Sequence, residues 1–142
     1  MVRNSNHTSK EEQGRLEEIH DRLSGALQVS PGIEILICKT LLRLPQSVQN
    51  FVCEKCMFIE FGANSGMCLS RNRTGGYEWL IFLGSGADES IICHEVAHSI
   101  LGHKSEIGWN DPYSDEALKQ EQKSCELVKS WGFKGPGTEV ET

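Results

Sequence analysis

No apolar run in this chain approaches the roughly 20 residues that cross a bilayer. Trp79–Leu83, among the longest, has five, so no membrane partner is expected. A basic excess is also missing. Lys and Arg number 14 against 20 Asp and Glu, a net charge of −6, whereas phosphate backbones are held by basic patches, so no nucleic-acid partner is expected either. The first fifteen residues, MVRNSNHTSKEEQGR, carry no apolar stretch of the secretory kind. The expectation is therefore a cytoplasmic chain whose six cysteines stay reduced. A second Cys-x-x-Cys pair is lacking too. Cys53 and Cys56 stand alone in that spacing, and a structural zinc knuckle would have to recruit isolated cysteines.

What is present is a single domain's worth of patterned sequence, 142 residues with 38% hydrophobic and 24% charged. Residues 1–9 read as a flexible tail, 10–133 as one domain and 134–142 as a second tail. Leu16, Ile19, Leu23 and Leu27 recur at helical spacing, predicting a helix from Lys10 to about Leu27. The branched residues of Ile33–Lys39 predict a strand. A short helix follows from Gln46 to about Val52, then strands at Met57–Gly62, Met67–Asn72 and Tyr77–Leu83. Asp88 is placed to cap a further helix that Gly102 stops, and Ser114 to cap a last one running from Asp115 to about Trp131. The order predicts an α+β domain with a three- to four-stranded mixed sheet packed against an N-terminal, a central and a C-terminal helix.

The central helix carries IICHEVAHSILGH, with His94, Glu95 and His98 in the order His-Glu-x-x-His. Residues four apart share a helix face, so His94 and His98 can reach one ion. Glu95, at the edge of that face, can act as general base on a water held by the metal. The rest of the helix is apolar nearly all round, which predicts burial, and buried histidines and carboxylates need partners.

Two histidines leave a zinc site a ligand short. His103 is near in sequence, but a continuous helix turns it about 180° from His94, and the dipole alone accounts for a histidine at a helix end. On the last helix Ala117, Leu118, Ser124, Cys125, Leu127, Val128 and Trp131 fall on one half of the wheel. Glu121 lies within that half as its one deeply placed carboxylate. A buried carboxylate seeks a cation: zinc makes Glu121 the third ligand, while a salt bridge or a tilt toward solvent is the competing reading. Tyr77 and Tyr113, with His103, are secondary candidates for stabilising an oxyanion.

HEVAHSILGH followed by EQKSCELVKSWGF resembles the zincin metallopeptidases of the glutamate-ligand type, most closely the small ImmA/IrrE-like domains, over roughly Trp79 to Phe133. The resemblance implies a zincin-like fold and a zinc-dependent peptidase with Glu121 as third ligand. It further implies a protein or peptide substrate paired along the Trp79–Gly84 strand, acting as an edge, and a repressor protein as substrate. In that family an Asp four residues after the ligand Glu steadies a ligand histidine; here the place holds Cys125. That departure keeps a second function in view, a zinc-stabilised protein-interaction module with weak or no turnover.

Overall fold

The computed structural model describes residues 9–62, 66–71, 76–102 and 115–133. These form an α+β domain of five helices and a four-stranded mixed sheet. Residues 1–8 of the first expected tail and all of the second, 134–142, together with His103, Tyr113 and Ser114, lie outside the described residues. No described helix is long and apolar enough to cross a membrane.

Helix α1 spans Lys10–Arg22, opened by Ser9, whose side chain accepts the Glu12 N–H. The helix expected to reach Leu27 ends early. Gly25 takes φ +89°, and the Ala26 N–H turns back to the Leu23 carbonyl. Leu27–Gln28 then leaves as the short strand β1. Left-handed φ is open to glycine at little cost, so the turn is set there rather than by the leucine spacing.

The expected strand at Ile33–Lys39 is instead part of helix α2, Pro31–Leu42. Pro31 opens it in the first-turn position, where its fixed φ suits a helix and its missing N–H costs nothing. Ile33, Ile37 and Leu41, spaced by four, are buried together with Cys38 and Thr40. Burial of that stripe overrides the preference of branched residues for strands. Helix α3, Gln46–Lys55, follows and runs directly into β2, Cys56–Phe61. Strand β3 is Gly66–Ser70 and β4 is Trp79–Gly84. Helix α4 is Glu89–Ile100 and α5 is Asp115–Ser130.

The sheet order is β1-β2-β4-β3. β2 pairs in parallel with both β1 and β4, while β3 runs antiparallel to β4. Strand β4 is therefore interior, with ladders on both sides, and it has no open edge for a peptide. The expectation of an edge at Trp79–Gly84 is corrected: the outer strand on the α4 side is β3. The sheet has one dry face. Cys56, Phe58, Cys68, Ile81 and Leu83 are buried on it, and the alternating Met57, Ile59 and Phe82 on the other face are half-buried. Helix α4 packs across β3 and β4 on the dry side, with α2, α3 and α5 around it. Ile92, Cys93, Val96 and Ala97 are fully buried there.

A polar clasp joins the helices at one end. The Arg43 guanidinium, just past α2, reaches Glu89 at 2.6 Å and lies 4.2 Å over the Phe133 ring. It thereby ties the start of α4 to the end of α5.

Candidate metal centre

Helix α4 is the buried half of the site. The Asp88 carboxylate accepts the Ile91 N–H at 2.9 Å, fixing where the helix begins. Leu101 closes it, followed by Gly102 at φ +72°. Within this frame His94 and His98 stand one turn apart, their rings edge to face with centroids 4.6 Å apart.

Three side chains converge. His94 Nε2 lies 2.9 Å from Glu121 Oε2, His98 Nε2 lies 3.0 Å from Glu121 Oε1, and the two Nε2 atoms are 3.1 Å apart. Among the described residues these three donors could together hold a cation, all lying within 4.8 Å of one another. Zinc bonds of 2.0–2.1 Å at tetrahedral angles put ligand atoms about 3.3 Å apart. The triangle is within a few tenths of an ångström of that spacing, and two imidazoles with one carboxylate are a donor set that suits zinc. The residues present fit the ion.

Glu121 differs from its expected setting. Its side chain is 55% exposed, so it is not a carboxylate sunk in an apolar stripe. Leu118, expected on the buried half, is also exposed. Helix α5 packs through Ser124 and Val128, both fully buried, and the wheel is rotated toward them. Glu121 meets the histidines from the rim.

The charges respond to one another. Hydrogen bonds from His94 and His98 hold the Glu121 carboxyl far below the usual carboxylate range, against the opposing effect of partial burial. Burial lowers the His94 imidazole, but its hydrogen bond to Glu121 and the attraction of Glu121 and Glu95 outweigh it, and the net direction is up. Glu95 moves the other way from Glu121: burial raises it, with Glu121 adding and both histidines opposing.

Glu95 is 7% exposed and lies beside Gly66, the first residue of β3. A Cβ on Gly66 would sit 2.8 Å from the Glu95 Cγ and 2.9 Å from the Ile91 Cγ2. The outer strand can approach the glutamate this closely only because position 66 has no side chain. Cys68 follows on the same face of β3, buried, its thiol pushed well up by desolvation with the Glu95 charge adding.

Sequence reasoning missed Ser124, whose Oγ lies 3.0 Å from His98 Nδ1. Its signal was a polar residue three positions after Glu121 and on the same side of α5. Cys125 is half-buried and Cys53 and Cys56 are buried, none of them in a disulfide. Tyr77 precedes β4 and is half-buried. A separate cavity of about 380 Å³ lies between α1 and α2, lined in part by Leu16, His20 and Cys38, and includes none of the triad. No family model matches the chain, and neither a curated protein nor a solved structure matches it.

Proposed function

We propose that the chain is a zinc-dependent metallopeptidase of the glutamate-ligand zincin kind, hydrolysing peptide bonds within a protein or peptide substrate. The observation that carries this reading is the convergence of His94, His98 and Glu121 donor atoms beside a buried Glu95 on the same helix. Bound zinc would supply Lewis acidity and a site for water at its open fourth position. The chain's own residues do the rest. His94 and His98 would present Nε2 lone pairs to the ion from a largely buried helix, and Glu121 would add the anionic ligand from the rim. Glu95 is the general base: its carboxylate takes a proton from the attacking water and returns one to the leaving amine. Burial raises Glu95 toward the working pH, which suits a group that must both accept and release a proton.

The substrate strand is proposed to add to the outer edge of β3, since β4 is enclosed. Among the described residues that edge carries no partner strand, and its first residue, Gly66, lies beside Glu95. Main-chain hydrogen bonds then supply affinity with little demand on sequence. Six cysteines outside any disulfide suit a reducing, cytoplasmic setting, and a regulatory repressor protein is the substrate class that the resemblance suggests.

The second reading, a zinc-stabilised interaction module, is favoured by one observation. His94 Nδ1 is buried with no hydrogen-bond partner among the described atoms, whereas ligand histidines of active centres ordinarily donate that proton. Peptide hydrolysis by zinc-loaded wild type beside Glu95→Gln separates the two. The peptidase reading expects a loss of about 10²–10⁴-fold at unchanged zinc content. Equal turnover in the variant removes Glu95 as base, and full zinc occupancy without turnover in the wild type favours the module.

A further inference from the structure

We propose that Ser124 is the positioning residue of the metal centre: with the ion bound, its hydroxyl accepts a hydrogen bond from His98 Nδ1–H and so holds the imidazole with its Nε2 lone pair toward the ion's place beside His94 and Glu121. The inference rests on the zinc-site reading and deepens it. A histidine that binds metal through Nε2 must carry its proton on Nδ1, and that N–H wants an acceptor. The Ser124 hydroxyl stands 3.0 Å from that nitrogen. Water does not compete for it, because Ser124 is fully buried.

The hydroxyl is held in place by its own helix. Ser124 and Val128, one turn apart, are both fully buried where α5 packs on α4. Glu121 and Ser124 are three apart and share a face, so a single turn of α5 delivers both a ligand and an anchor. The ligand reaches the Nε2 side of the His98 ring and the anchor reaches its Nδ1 side. The ring is thus gripped across its two nitrogens by one short segment, Glu121-Gln122-Lys123-Ser124. A serine is a neutral acceptor, so it fixes the tautomer without adding the negative charge that a carboxylate would bring to the site.

Competitive titration of zinc and cobalt(II) against a chromophoric chelator tests this, with each variant's apo fold checked by circular dichroism. Wild type should bind one equivalent of either ion. Ser124→Ala should bind about 10–100-fold more weakly and show an altered cobalt(II) visible spectrum, a signature that loss of packing alone does not move. Unchanged affinity and spectrum in Ser124→Ala overturn the role of Ser124 while leaving the zinc reading intact. A loss in Cys125→Ala without one in Ser124→Ala does the same. No binding by wild type overturns both. A measurement on wild type covers the case in which Ser124→Ala does not fold. In the zinc form the His98 Nδ1 proton should give a slowly exchanging NMR resonance, and free exchange with water overturns the proposal.

Discussion

The two helices that meet at the candidate metal centre contribute in opposite ways. Helix α4 brings His94, 7% exposed, from a helix packed on the sheet on one side and on α5 on the other. Helix α5 brings Glu121, a carboxylate more than half exposed. One half of the site is set by the core before any ligand arrives. The other is a rim group whose position depends on the turn of helix behind it, where Ser124 and Val128 are sunk. Pre-organisation is thus unevenly shared, and the uneven share can be measured.

The largest expected effect comes from the buried half. His94→Ala or His98→Ala should abolish stoichiometric zinc binding, read by metal analysis after gel filtration. Glu121→Ala should retain weaker, measurable binding, because solvent already reaches that corner and water can take the vacated place. If Glu121→Ala empties the site as completely as the histidine changes, the contrast between the helices fails.

Next is Gly66→Ala. The added methyl would fall 2.8 Å from the Glu95 Cγ, and the cheapest relief is to swing that side chain away. A base misplaced by about 1 Å costs on the order of 100-fold in rate. Peptide hydrolysis should fall by that order while zinc affinity stays at the wild-type value. Equal losses in both would mean that β3 supports the ligands rather than the base.

The effect of pH is smaller and has two signs. Without metal, the His94–Glu121 pair stabilises the fold only while Glu121 is ionised and His94 protonated. Its contribution is present between the ordinary carboxylate value of 4.5 and the raised His94 value. It is lost as pH rises through that His94 value, and in strong acid as Glu121 protonates. Zinc needs the neutral imidazoles, so its stabilisation grows as pH rises through the same range. Thermal midpoints against pH should therefore diverge, with the gain on adding zinc widening above pH 6.5, the ordinary histidine value. A gain that is flat across this range would place His94 outside the ligand set.

The thiols give the smallest effect. Burial pushes Cys38 up to about 11 and Cys56 and Cys93 to about 12. Cys125 is half-buried on α5. A thiol reagent at neutral pH should label Cys125 first and the other five only on unfolding. Early labelling of Cys93 would mean that α4 is less tightly held than its burial implies.

Legibility in the sequence followed the same division. Helix α4 was readable because the metal-binding spacing, the Asp88 cap and the Gly102 stop are all local features. So were β2, β3 and β4, whose bounds fall within a residue or two of their patterns. Helix α2 was not, because Ile33–Lys39 has branched residues that suit a strand and a spacing that suits a helix, and only the packing of Ile33, Ile37 and Leu41 decides. The enclosed position of β4 was equally hidden, since strand order depends on contacts distant in sequence. Glu121 was picked out for a burial it does not have; its nearness to the histidines follows from the way α5 leans on Ser124 and Val128.

The Arg43 clasp has a consequence for how the molecule would answer the loss of the proposed ion. It binds Glu89 and Phe133 at one end of the α4–α5 pair, and the triad closes the pair further along, its histidines about 8 and 13 Å along α4 from Glu89. The two helices form a peg, sprung at the arginine and pinched by the ion. Chelation should loosen the jaw while the spring holds. Amide hydrogen exchange should then quicken in the first two turns of α5 and stay slow around Val128, so that metal release is felt as a splaying of one helix end rather than a collapse of the fold.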